Sequence, residues 1–212
     1  MTASTPTEFV YLASQSPRRA QLLTQLGVRY ELLLADNAED VEALEAVKPN
    51  ETPPAYVKRV TALKLDAAVA RLLRRGLPKA PVLCSDTTVA LGRAVFGKPA
   101  SERDALQMLS ALAGRTHRVL TAVAVQALAT KVGLTSDRHS ACCVSHVRFD
   151  VMTAMQIKSY VSTGEPMGKA GGYAVQGKAA AHIVSISGSY SGIMGLPLYE
   201  TAQLLRAAGL TV

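Results

Sequence analysis

Apolar and amphipathic stretches alternate along the first half of the chain. Residues 9–13 form an apolar run that predicts a buried strand, and residues 20–26 follow with helical three-to-four spacing until Gly27 stops them. A second strand is predicted over 30–34, and then an acidic segment carries Asp36, Glu39, Asp40, Glu42 and Glu45. Thr52 ahead of Pro53 and Pro54 is the N-cap expected of a long helix, whose apolar stripe runs through Val57, Val60, Leu63, Ala67 and Leu72 and ends at Gly76. Residues 81–85 read as a buried strand running into Asp86-Thr87-Thr88. A hairpin around Gly92-Arg93 joins 89–91 to 94–96.

The second half begins with a helix opened by Ser101, with Asp104 in capping position and Gly114 at its close. Two longer strands are predicted over 118–127 and 142–151. Thr153 and Gln156 make a capping box for a short helix that ends near Gly164, and a last helix starts at Pro197 and runs to Ala208. Eight of the 15 glycines fall between Gly164 and Gly195, a density that calls for turns with positive φ and close backbone approach. Early strand–helix alternation followed by a strand-rich middle predicts an α/β fold with a mixed central sheet flanked by helices.

Composition narrows the class. Hydrophobic residues make up 49% and charged residues 18%, as in globular chains, and 212 residues can bury a full core. The formal charge is +7, with no tryptophan, three phenylalanines and seven tyrosines. Scattered positive charge without stacking aromatics favours a phosphate-bearing small ligand over stable nucleic-acid binding. The longest uncharged apolar stretch, around 119–130, is too short to span a bilayer, so no membrane partner is expected. No basic region precedes an apolar core at the start, so no signal peptide is expected either. Cys84, Cys142 and Cys143 make a poor disulfide framework and a poor zinc motif, which predicts a reduced, cytoplasmic protein.

Chemistry concentrates in a few places. Ser14-Gln15-Ser16-Pro17-Arg18-Arg19 falls at a strand-to-helix turn. Pro17 suits the first helical position, and the free N–H groups there, two serine hydroxyls and two guanidinium forks make a polyanion cradle. The alternative is a basic, solvated helix start, yet cations are misplaced at the positive end of a helix dipole, and local conflicts of that kind collect at functional sites. Asp86, at the end of a buried strand, has the place of a metal ligand or general base, with a turn or N-cap aspartate as the structural alternative. The acidic segment from Asp36 to Glu45 holds candidate second ligands, and magnesium needs only one or two carboxylates. Lys64 lies on the polar side of its helix, which is the usual setting of a surface lysine with a buried stem. Lys98, on the tight turn after the hairpin, is placed to reach a phosphate. Gln176, which offers a donor and an acceptor, could read a nucleobase edge, although its surroundings also fit a structural glycine loop. The chain has no Walker loop, dinucleotide fingerprint or nucleophile elbow.

Leu12-Ala13-Ser14-Gln15-Ser16-Pro17-Arg18-Arg19, Ser85-Asp86-Thr87, Gly97-Lys98-Pro99, Lys169-Ala170-Gly171 and Gln176-Gly177 occur in the order found in Maf-like nucleotide pyrophosphatases. The resemblance continues through Gly188-Ser189-Tyr190 and Gly195-Leu196-Pro197-Leu198 and so covers nearly the whole chain. It implies one domain over 1–212 with two lobes around an active-site cleft, and a metal-dependent hydrolase that cuts nucleoside triphosphates to monophosphate and pyrophosphate. Arg18 and Gln176 resemble the dTTP/UTP branch, whereas a branch acting on 7-methyl-GTP carries tryptophan near the first position and a Ser-Glu pair at the second.

The family pattern implies that Asp86 is catalytic base and metal ligand, with Glu39 as the second acidic residue and Asp40 as its substitute. It implies that Ser14, Arg18, Arg19, Lys64 and Lys98 hold the triphosphate, and that Arg18, Thr87 and Gln176 bear on substrate choice. The cofactor implied is a divalent cation, Mg²⁺ or Mn²⁺, and the partner is dTTP or UTP, with a housecleaning role against modified pyrimidine nucleotides. The alternative function is a non-catalytic nucleotide or nucleic-acid binder acting in septum formation. The oligomeric state is left open, a homodimer included.

Overall fold

The structure, a computed structural model, describes residues 9–36, 39–40, 43–128 and 137–212. Of the acidic segment, Glu42 lies outside the described residues, as do Asn37 and Ala38 beside Glu39. Among the described residues seven strands form one mixed sheet: β1 (Val10–Leu12), β2 (Tyr30–Leu32), β3 (Val82–Leu91), β4 (Ala94–Phe96), β5 (Thr116–Gln126), β6 (Arg138–Phe149) and β7 (Ile183–Ser187). Their order is β2-β1-β3-β5-β6-β7, with β4 on β3, and only the β1–β2 and β1–β3 pairings are parallel. This is the mixed sheet flanked by helices that the sequence predicts.

Among the described residues six α-helices lie against the sheet: α1 (Pro17–Gln25), α2 (Pro53–Arg74), α3 (Glu102–Leu112), α4 (Ala154–Val161), α5 (Tyr190–Met194) and α6 (Leu198–Ala207). The expected caps form: the Thr52 and Ser101 side chains accept from Ala55 and Asp104 N–H, and Thr153 with Gln156 completes its capping box. One sheet face is covered by α2, whose Leu65, Ala68 and Leu72 pack with Tyr11, Val82, Cys84 and Ala124. On the other face, α1 and α6 pack Leu22, Leu23 and Leu205 on Leu12, Leu83 and Val123. Further along that face Leu109, Leu112 and Ile157 from α3 and α4 pack on Val89, Val119 and Phe149. Each fully buried leucine stabilises the fold by about 1.5–3 kcal/mol relative to an exposed one.

One expectation is corrected in a way that matters for the site. The strand containing residue 82 does not stop at Ser85; β3 runs unbroken through Asp86 and Thr87 to Leu91. Its β5 side is paired from Val82 to Ala90. Its other side is paired to β1 only through Leu83, where Ala13 N–H donates to the Leu83 carbonyl, and to β4 only from Val89. Between them β1 turns away into α1, so Asp86 and Thr87 sit mid-strand on a stretch of β3 edge that neither β1 nor β4 covers. Side chains alternate across a strand, so a ligand at that gap meets both faces of the sheet. The glycine-rich region also differs from expectation. Beside the turns that its glycines call for, β7 and α5 form within 183–194.

Candidate functional site

A cavity of about 890 Å³ opens at the gap in the β3 edge. Its lining includes the residues to which the family pattern assigns roles: Ser14, Arg18, Arg19, Glu39, Asp40, Lys64, Asp86, Thr87, Lys98 and Gln176. Two sets of contacts organise it, one on each face of β3.

On the α2 face, Lys64 Nζ lies 2.6 Å from Asp86 Oδ1 and 2.7 Å from Glu45 Oε1, and Lys98 Nζ is 3.3 Å from the same Glu45 oxygen. Lys64 is therefore not the surface lysine its helical position suggests; α2 aims it down onto the sheet at Asp86. Burial disfavours its charge, but Asp86 and Glu45 more than offset this and raise its pKa. Burial likewise works against ionised Glu45, and Lys64 and Lys98 outweigh it, so Glu45 titrates below the usual range. The 3₁₀ turn that carries Glu45 is strapped to α2 by side chains the sequence did not flag. Tyr56 Oη donates to the Glu45 carbonyl at 2.9 Å, and Arg59 Nη2 donates to the Ala46 carbonyl at 2.8 Å while pairing with Glu51.

Glu39 is placed differently. Its carboxylate receives Arg71 Nη2 at 2.6 Å and Arg71 Nε at 2.9 Å, and Arg74 Nη2 at 2.7 Å, and these contacts hold its pKa near 2. Both of its oxygens are engaged by guanidiniums. Glu45, not Glu39, shares Lys64 with Asp86. The sequence marked Glu45 as one acid among five, and nothing in its spacing set it apart.

On the opposite face, Ser14 Oγ accepts from Ser16 N–H and from Arg19 Nη1, both at 3.1 Å. A hydroxyl has one proton and two acceptor sites, so with both sites used Ser14 presents its O–H as a donor, as a phosphate oxygen requires. Arg18 Nε donates to the Met194 carbonyl at 3.4 Å and Arg19 Nε to the Gly195 carbonyl at 2.8 Å. Those carbonyls explain how two cations tolerate a helix start. The tail of α5 supplies compensating negative dipoles while the remaining guanidinium N–H groups stay available. Burial lowers the pKa of Arg18 and of Arg19, with Asp86 opposing it at Arg19, and both remain cations. Gly195 has φ +119°, and an added Cβ would lie 3.5 Å from Arg19 Nε and 3.7 Å from Thr87 Oγ1.

Thr87 Oγ1 is 2.9 Å from Thr121 Oγ1 directly across the ladder, and Thr121 Oγ1 is 2.7 Å from the Gly192 carbonyl of α5. Beyond Thr87, the 3₁₀ turn Ala170–Gly172 rests on Val89; a Cβ at Gly171 would meet that valine at 2.8 Å, so only glycine fits. The turn leads to Tyr173, whose Oη is 2.8 Å from His117 Nε2 in the core, and on to exposed Gln176.

The donor set fits a divalent cation. Two carboxylate oxygens from different elements, Asp86 Oδ1 and Glu45 Oε1, already converge on one positive charge, and Mg²⁺ or Mn²⁺ needs few protein ligands beside phosphate oxygens. Among the described residues no group of three or more His, Cys, Asp or Glu gathers for a metal. Among the described residues no helix is long and apolar enough to cross a membrane.

A central mixed sheet with a cation-lined cleft at an interrupted strand edge defines an α/β protein whose site suits a polyanion. The Maf-like protein family's sequence pattern matches residues 9–208, and the chain belongs to that family. Similar proteins include one from Albidiferax ferrireducens, 64% identical over 97% of this chain and 99% of its own length, and one from a Polaromonas species, 64% identical over 97% and 98%. A third, from Cupriavidus metallidurans, is 62% identical over 96% and 98%. All three are named dTTP/UTP pyrophosphatase. Among solved structures, a HAM1 protein from Coxiella burnetii aligns with a TM-score of 0.40 at 14% identity, covering 66% of this chain and 72% of that one.

Proposed function

We propose that this protein hydrolyses dTTP and UTP to the monophosphate and pyrophosphate. Support comes from relatives of that name at 62–64% identity along nearly the whole chain. The observation that carries the reading is the convergence of Arg18, Arg19, Lys64 and Lys98 on the cavity at the β3 gap, beside Asp86 and Glu45. Phosphoryl transfer asks for positioning and charge neutralisation more than covalent chemistry, and this group of side chains offers both.

Arg18, Arg19 and the Ser14 hydroxyl bind triphosphate oxygens, and Lys64 and Lys98 carry the charge that develops on the leaving pyrophosphate. Asp86 orients the attacking water toward the α-phosphorus and takes its proton, which the neighbouring Lys64 ammonium makes tolerable by holding the site's charge balance. Asp86 and Glu45 would hold a divalent cation, which supplies neutralisation of the phosphates and a lowered pKa of water. Thr87 and Gln176 face the base. Modified pyrimidine nucleotides that keep the uracil edge fall within the same reading.

The test is a panel of nucleoside triphosphates assayed for pyrophosphate and orthophosphate release with Mg²⁺ or Mn²⁺. Pyrophosphate from UTP and dTTP ahead of GTP and ATP is expected. Orthophosphate instead marks a general phosphatase, and binding without any release marks a non-catalytic binder.

A further inference from the structure

Thr121 is buried in the middle of β5 at 1% exposure and belongs to no motif in the chain. Its hydroxyl nonetheless connects two parts of the site. Thr121 Oγ1 lies 2.7 Å from the Gly192 carbonyl and 2.9 Å from Thr87 Oγ1. A carbonyl oxygen only accepts, so the single Thr121 proton must point at Gly192. Two hydroxyl oxygens 2.9 Å apart need a proton between them, and Thr121 has none left. That proton comes from Thr87. The direction of the whole chain is thereby set: Thr87 donates to Thr121, and Thr121 donates to Gly192.

The consequence lies in the cavity. Thr87 has committed its proton away from the cleft, so the only thing it can present to a ligand there is an acceptor lone pair. We propose that Thr121 is a specificity-determining positioning residue that locks Thr87 as a hydrogen-bond acceptor, so that the site takes a pyrimidine bearing an N3–H donor and rejects one whose N3 is an acceptor. This rests on the dTTP/UTP reading above and says which atom of the base is read. Uracil and thymine both carry N3–H, and cytosine has a bare N3 at the same place. Opposed lone pairs in a partly buried site leave two polar groups unpaired, the kind of mismatch that rejects a near-identical substrate. Gly192 is fixed in turn: its N–H donates to Ser189 Oγ at 3.0 Å, and its carbonyl also accepts from Gly195 N–H.

Thr121→Val keeps the shape and removes the relay. Thr87 then turns its proton into the cleft and can donate to cytosine N3. The ratio of kcat/KM for UTP to that for CTP is expected to fall about tenfold in Thr121→Val, the size of one hydrogen bond, while pyrophosphate remains the product. Thr121→Ser restores the relay and the ratio. A fold defect alone lowers both substrates together and leaves the ratio at the parent value, and that result overturns the inference. Thr87→Val in the same assay provides an independent arm. It removes the acceptor, so turnover of UTP should drop more than turnover of CTP, and equal losses count against the proposal. A parent protein that releases no pyrophosphate from UTP sinks the functional reading and the inference with it. A parent that prefers UTP, with Thr121→Val keeping that preference, sinks the inference alone.

Discussion

Adjacent residues on one strand, Asp86 and Thr87, face two differently built regions. Around Asp86 the groups are charged and exchangeable: Lys64 shares its ammonium between two carboxylates, and Glu45 shares one oxygen between two lysines. A triphosphate or a cation can replace any of those contacts with one of like sign. Around the Thr87 hydroxyl the contacts are neutral, buried and directional, running through Thr121 to the Gly192 carbonyl, which can only accept. Ser14 adds a second fixed hydroxyl on that face, turned the opposite way, with its proton outward. The charged region suits a ligand whose charge distribution changes during reaction. The neutral region suits a base edge that must be compared with near relatives and does not change.

That contrast is broken most directly at Asp86. Asp86→Asn removes one of the two negative partners of Lys64, and the proton acceptor, while keeping the shape. Pyrophosphate release should fall by about a thousandfold or more, the scale of losing a positioned base together with charge stabilisation. Circular dichroism and melting should stay near the parent's, and near-parent turnover would remove Asp86 from the mechanism.

On the neutral side the largest expected effect is on stability. His117 is 1% exposed and packed edge-on against Phe149 and Tyr173, and burial pulls its pKa from 6.5 to about 4. The folded protein therefore resists protonation that the unfolded chain accepts. Stability is fully present above pH 6.5 and is lost as pH falls from there toward 4, by on the order of 3 kcal/mol. Melting temperature followed from pH 7.5 to 4.5 should show this slope, and His117→Gln should flatten it. An unchanged slope would place the acid sensitivity elsewhere. Because His117 holds Tyr173, the base-side loop should loosen with it.

The charged side divides its acids, and the division is testable at about tenfold. Glu45→Gln should weaken Mn²⁺ binding, read by electron paramagnetic resonance without substrate, by about that factor, as expected for loss of one carboxylate near a cation. Glu39→Gln should leave Mn²⁺ affinity nearly unchanged and lower the melting temperature instead, since Arg71 is 3% exposed and would lose its partner. The reverse pattern would restore Glu39 to the metal.

Why the sequence anticipated Asp86 and Arg18 but not Glu45 or Thr121 follows from what each signal depends on. Caps, glycine stops and apolar periods are local, so Thr52, Ser101, Thr153 and the helices they open can be read from the chain itself. The cradle of Ser14 to Arg19 was legible because cations at a helix start contradict local electrostatics. Asp86 was legible as a carboxylate next to an apolar run, although its place mid-strand was not: β1 and β4 leave the β3 edge bare there, and pairing is long-range. Lys64 looked like a surface residue because helical position does not tell what stands on the sheet beneath. Glu45 is singled out by long-range contacts, the strap from Tyr56 and Arg59 and the pairing with Lys64 and Lys98. Thr121 depends on strand register, since only the pairing of Thr87 with Thr121 brings the hydroxyls together. A polar residue inside the apolar run Val119-Leu120-Thr121-Ala122-Val123 was its one visible trace.

The smallest effect separates the two regions most cleanly. Ser85 is on the Thr87 face of β3, and its Oγ lies 2.9 Å from the Gly195 carbonyl, the same oxygen that accepts from Arg19 Nε. Ser85 Oγ is also 2.9 Å from the Ala122 carbonyl and shares its one proton between the two, so Ser85→Ala removes part of what fixes the Gly195 carbonyl. Arg19 then loses some of its orientation, and KM for any triphosphate should rise about two- to fivefold, corresponding to no more than the ~1 kcal/mol of one neutral hydrogen bond. Arg19 binds phosphates and not the base, so UTP and CTP should shift together with kcat unchanged. Thr121 lies one ladder position pair further along the same face, and its loss should shift the two substrates apart. A Ser85→Ala enzyme whose UTP-to-CTP ratio moved as far as that of Thr121→Val would mean that Gly195 and Gly192 move as one unit, and that phosphate and base are held by a single rigid α5 turn.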